Sequence, residues 1–147
     1  MAPEVQAGDG RAPDHIEPLQ VRFSDTDAGG IVHHSNFFRW LEEARLGLLR
    51  AMGVSYRTIE DSGIHFPVTA CSAEFRRSLR SEDEIEIALW LVGRSRARLD
   101  FRYEIRLDGS VIATGNTTHA LVNNAGRPIR LERDSTLWKL LAELDGD

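Results

Sequence analysis

The architecture turns on residues 24–45, SDTDAGGIVHHSNFFRWLEEAR. The first seven of these, Ser24 to Gly30, are turn formers. Beyond them an apolar repeat begins. Phe37, Leu41, Ala44, Leu48 and Ala51 recur at helical spacing, and Trp40 and Gly47 widen the stripe. This predicts a helix over 34–52, stopped by Gly53. So broad an apolar face implies a largely buried helix, and Gly47 within it implies close contact with a neighbouring element.

Working outward, Leu19, Val21 and Phe23 alternate with Gln20, Arg22 and Ser24, which reads as a strand with one buried face. After the helix come a short helical or irregular piece over 55–63 and strands over 66–79, 84–92, 96–107 and 111–122. Ser81-Glu82-Asp83 turns the chain, and Asp108-Gly109 is a two-residue hairpin signal. Asp134 is the expected N-cap of a closing helix over 135–144. Strands joined by tight turns pair antiparallel, so the fold class is α+β, with one long helix covering one face of the sheet.

The 147 residues fit one domain, expected over 18–147. Residues 1–17 are rich in Ala, Gly, Pro and Asp and read as a disordered leader, not a signal peptide. The net charge of −5 argues against a nucleic-acid binder. One cysteine, Cys71, allows neither an intramolecular disulfide nor a cysteine zinc site, and it is expected as a small core residue of a cytoplasmic protein. No run is apolar enough to span a membrane.

Asp25 and Asp27 flank Thr26 in a glycine-rich turn that feeds a buried helix. The first amides of a helix lack intrahelical partners and carry partial positive charge, so a carbonyl oxygen there is stabilised as it becomes an oxyanion. Gly29 and Gly30 allow close approach to the backbone. A carboxylate facing those amides can serve as nucleophile or general base. These parts suffice for acyl transfer without metal, cofactor or serine triad. The plainer reading of Asp-x-Asp is turn chemistry and capping. His33-His34 could suggest a metal, but adjacent histidines need not face one point. No Gly-x-Ser-x-Gly, Walker or dinucleotide glycine pattern occurs.

Residues 25–45 together resemble the signature of the 4-hydroxybenzoyl-CoA thioesterase family, and are similar to that of the Tol-Pal-associated acyl-CoA thioesterases. The resemblance implies a hotdog fold, a five-stranded antiparallel sheet wrapped around a long central helix. It also implies dimers or tetramers with the active site at the subunit interface. Asp27 then matches the catalytic carboxylate, and His34 the position whose backbone amide polarises the thioester carbonyl. Gly30 and Val32 fall beside the substrate, and Glu42 becomes a pocket or structural residue. Phe66 and Pro67 match the strand start lining the acyl pocket. Arg94 and Arg96, expected with Arg98 on one strand face, match basic residues set against the nucleotide end of coenzyme A. Glu43 and Arg45 read as solvated or interface charges, and Arg76, Arg77 and Arg80 as a second basic cluster. The implied activity is hydrolysis of an acyl- or aroyl-CoA. Release from an acyl carrier protein and non-catalytic acyl binding are the alternatives.

Overall fold

The computed structural model describes residues 10–144; the expected leader lies outside them up to residue 9. The chain runs β1 (His15–Gln20), a 3-10 turn (Phe23–Asp25), α1 (Ser35–Ala51), α2 (Tyr56–Asp61), β2 (Val68–Phe75), β3 (Glu84–Arg94), β4 (Arg98–Leu107), β5 (Ser110–Ala120) and α3 (Thr136–Glu143). The five strands form one antiparallel sheet in the order β1-β3-β4-β5-β2. The sheet wraps α1, which is the hotdog arrangement. Among the described residues no helix is long and apolar enough to cross a membrane.

The helix seats as its periodicity predicts. Phe37, Trp40, Leu41, Ala44 and Leu48 are buried against Leu89, Phe101, Tyr103 and Ile112 of the sheet. Each large side chain so buried contributes about 1.5–3 kcal/mol. Gly53 ends the helix at φ +83°. The hairpin signal also holds, since Asp108 and Gly109 both take positive φ, 51° and 80°, between β4 and β5.

Two glycines set how closely helix and sheet approach. A Cβ on Gly115 would sit 3.2 Å from Leu41 Cδ1 and 3.3 Å from the Ser72 carbonyl oxygen. A Cβ on Gly47 would fall 1.9 Å from Glu17 Oε1 and 2.8 Å from His15 Nε2. The neighbour that Gly47 anticipates is therefore β1, and what it makes room for is polar.

Several expectations need correction. The first strand is His15–Gln20, earlier than its apolar alternation suggests. Its inward face is His15, Glu17 and Leu19, while Phe23 opens the 3-10 turn 82% exposed. Residues just before it are also tied to the sheet, where Leu91 N donates to Asp14 Oδ2 at 2.7 Å and Trp90 Nε1 to the Arg11 carbonyl at 2.9 Å. Cys71 is exposed, because β2 is an edge strand open on nearly its whole length. Arg94, Arg96 and Arg98 do not share a strand, since β3 ends at Arg94 and β4 begins at Arg98. Ser135, whose side chain accepts from Trp138 N, caps α3 in place of Asp134.

Candidate active site

The loop between β1 and α1 is organised by its first aspartate. Asp25 is 2% exposed, and its Oδ2 accepts from Arg22 N at 2.9 Å. Its Oδ1 is ion-paired with Arg39, one turn into α1. Its carbonyl accepts from His33 N at 3.1 Å and from Asn36 Nδ2 at 2.8 Å. A buried charge needs such compensation, and here it fixes where the helix starts.

Asp27 is at the tip of a small hairpin closed by the Thr26–Val32 bridge. Gly30, at φ +79°, completes the turn by donating to the Asp27 carbonyl at 3.0 Å. Asp27 Oδ1 accepts from Gly29 N at 2.8 Å and Ile31 N at 3.2 Å. The side chain is thus held by one oxygen while the residue stays exposed.

The start of α1 is chemically different from the other helix starts. Ser55 and Ser135 cap α2 and α3 with their side chains. At α1 the N-cap residue is His34, and no side chain caps it. The amides of Ser35, Asn36 and Phe37 are taken by His33 Nδ1, His33 O and His34 O. Among the described residues the His34 amide has no acceptor. Beside it a shallow cleft of about 250 Å³ is walled by Val32, His34, Phe37, Phe75 and Arg77. The His33 and His34 rings stack at 4.3 Å, and His33 Nδ1 accepts from the Ser35 hydroxyl at 2.7 Å.

A larger cleft, about 480 Å³, opens at the other end of β2. Glu42, Arg45, Tyr56, Phe66, Pro67 and Val122 line it. Tyr56 and Phe66 meet edge to face at 5.4 Å. Burial first, then Glu60 and Glu42, raise the Tyr56 phenol above its ordinary range.

Arg45 is not a solvated charge: it is 9% exposed and begins a buried chain of hydrogen bonds. Its NH1 donates to Tyr103 Oη at 2.9 Å. The Tyr103 hydroxyl donates to Thr117 Oγ1 at 2.6 Å, and the Thr117 hydroxyl to His119 Nε2 at 2.9 Å. His119 Nδ1 donates to the Phe66 carbonyl at 2.9 Å. The carbonyl can only accept, and that assigns the tautomer and the direction of every bond in the chain. Burial, and then Arg45, push His119 down to about 4, so it is neutral. Burial raises Tyr103, which stays a phenol.

The sequence-derived residues therefore fall into three places. Asp27, Gly30, Val32 and His34 gather at the α1 start. Glu42, Phe66 and Pro67 share the larger cleft. Arg94 and Arg96 line neither. Arg94 stacks on Trp138 at 4.2 Å, and Arg96 Nε donates to the Leu131 carbonyl at 2.6 Å. Sequence reasoning missed Arg39 and the Tyr103–Thr117–His119 relay. Thr117 and His119 did leave a signal, two hydrogen-bonding residues two apart on a strand face that is otherwise apolar.

Residues 21–142 match the family model of the Thioesterase-like superfamily, and the chain belongs to that family. It is 29% identical over 126 residues to a 1,4-dihydroxy-2-naphthoyl-CoA hydrolase of Parasynechococcus marenigrum, covering 79% of this chain and 83% of the relative. The DHNA-CoA thioesterase of Staphylococcus aureus superposes with TM-score 0.82 at 29% identity, over 88% of this chain and 89% of that one. A protein of Aquifex aeolicus superposes with TM-score 0.81 at 34% identity, over 86% and 98%. By class the protein is a thioester hydrolase.

Proposed function

We propose that this protein hydrolyses an acyl- or aroyl-CoA thioester to the free acid and coenzyme A, with Asp27 and the His34 amide as its chemical groups. The observation that carries the reading is the unsatisfied His34 amide at an uncapped helix start, next to an exposed carboxylate fixed by one oxygen. The thioester carbonyl accepts from the His34 N–H, which stabilises the negative charge as the tetrahedral centre forms. Asp27 acts in one of two ways. It takes a proton from the attacking water, or it attacks and forms an anhydride that water then opens. In both, the C–S bond breaks and the thiolate leaves with coenzyme A. The resemblance of residues 25–45 to the 4-hydroxybenzoyl-CoA thioesterase signature supports the same assignment.

A second copy of the chain completes the site in this reading. The loop of Asp27 and His34 adjoins the Phe75 end of β2, while the aromatic cleft adjoins its Phe66 end. An antiparallel partner pairing along β2 would bring the cleft of one protomer against the Asp27 loop of the other. Ile31, Phe38, Val68 and Phe75, all exposed, would be covered by such a pairing. Gly30 and Val32 would then flank the thioester, and Phe66 and Pro67 the acyl group. Glu42 would stand at the mouth of the cleft. Arg76 and Arg77 are exposed beside the smaller cleft and suit the phosphates of coenzyme A. Arg94 and Arg96 remain candidates for the nucleotide only through a partner copy.

The test is Asp27→Asn. In a folded oligomer we expect kcat/KM for CoA thioesters to fall by more than about a hundredfold. Full activity would remove Asp27 from the chemistry. Paired rates on coenzyme A and acyl carrier protein thioesters decide the carrier.

A further inference from the structure

Among the described residues, the larger cleft holds a cation with no ion-pair partner. Arg45 lies on the buried side of α1, and among the described residues no carboxylate comes within ion-pair distance of it. Its hydrogen-bond partner is the phenol of Tyr103, and the chain continues through a hydroxyl and a neutral imidazole. Every one of those partners is uncharged. A guanidinium carries five donors in a planar fork, and the chain engages one nitrogen. Arg45 also lines the cleft, so donors not used by Tyr103 are presented there. A buried charge without a counter-charge is costly unless something supplies one. The remaining walls, Tyr56, Phe66, Pro67 and Val122, suit a carbon chain or ring. Glu42 lines the same cleft one turn before Arg45 but is exposed and makes no ion pair with it.

We propose that Arg45 determines acyl specificity by holding a carboxylate at the far end of the acyl group, so that the substrate is a carboxylate-ended acyl thioester rather than a plain alkyl or aryl one. A carboxylate meets the guanidinium fork through two parallel hydrogen bonds, and an aryl hydroxyl through one. The inference rests on the reading of this cleft as the acyl site.

The experiment compares matched CoA compounds that differ at the acyl terminus, adipoyl against hexanoyl and 4-hydroxybenzoyl against benzoyl. Non-hydrolysable thioether analogues are titrated calorimetrically into the wild-type oligomer and into Arg45→Met and Arg45→Lys, and the parent thioesters are assayed for kcat/KM. A charge-assisted hydrogen bond predicts at least about tenfold tighter binding of the carboxylate-ended member, adipoyl, in the wild type. That ratio should fall to about one in Arg45→Met and partly survive in Arg45→Lys. A ratio larger in the second pair than in the first overturns the carboxylate. No preference in the wild type overturns the proposal, even if Arg45→Met does not fold. A preference that survives Arg45→Met overturns it too. If no thioester is hydrolysed, the hydrolase reading fails while the analogues still decide this one. If thioesters are cleaved with dependence on Asp27 but the analogues bind alike, only the role of Arg45 falls.

Discussion

Among the described residues both outer strands of the sheet have one side with no neighbouring strand, yet β1 and β2 guard that side differently. β1 points His15 and Glu17 inward, with His15 Nε2 donating to Glu17 Oε1 at 2.9 Å and Arg50 3.9 Å from the same carboxylate. It also carries Pro18, which has no N–H for a further ladder. Inward charge and proline are the usual ways a sheet edge is blunted against another strand. β2 has neither. Its sequence VTACSAEF has a single charge, at Glu74, and Val68 and Phe75 at its ends are 45% and 47% exposed. One edge is sealed and the other left available, and both candidate clefts abut the available one. The polarity of an edge strand can therefore point to where a sheet expects company.

The comparison breaks first at the centre of β2. Ser72→Lys puts like charges near each other wherever two β2 strands pair antiparallel about their midpoints. We expect a shift to monomer in light scattering, together with a fall in thioester turnover of about a hundredfold or more. Gln20→Lys on β1 should change neither. Equal responses at the two edges would remove the distinction.

The support behind β2 should also be sensitive to acid. His119 hydrogen-bonds the Phe66 carbonyl just before β2 and is held at about 4, against 6.5 when unfolded. As pH falls from 6.5 towards 4 the unfolded chain takes up a proton that the folded chain refuses. Stability present above that window is lost across it, by about 3 kcal/mol in all. Urea unfolding from pH 7 to pH 4.5 checks this, and the non-titrating His119→Gln should flatten that part of the curve.

Smaller effects sharpen the contrast. Phe75 meets Phe37 edge to face at 4.2 Å, and Phe75→Ala should cost about 1–2 kcal/mol. Glu17→Val should change monomer stability by less than about 1 kcal/mol, but it removes the inward charge and should raise self-association measured by sedimentation. A silent Glu17→Val would mean that Pro18 alone seals β1.

Much of this was legible in the sequence, and the gaps share a cause. The central helix could be read because its apolar period is long, and the α1 start because the Asp25-to-Arg45 signature is ordered over a whole turn and helix. Alternation places the first strand too late because its inward face begins with His15 and Glu17, which hydrophobic periodicity cannot register. Cys71 reads as a core residue because the sequence of a strand looks the same whether it lies inside a sheet or at its edge. Arg45 reads as a solvated or interface charge in the sequence because the residues of its hydrogen-bond chain, Tyr103, Thr117 and His119, arrive from strands far along the chain. Periodicity reports which face is apolar. It does not report which polar side chains meet beneath that face.

Gly115 carries a consequence for shape. Its missing side chain is what lets Leu41 and the Ser72 carbonyl close to within about a methyl group of β5. The tightness of the sheet's curl is thus written in an absence, and any side chain there would act as a shim. A methyl there would make Leu41 and the β2 backbone give by a few tenths of an ångström, a small displacement felt at the edge along which a second β2 could meet it.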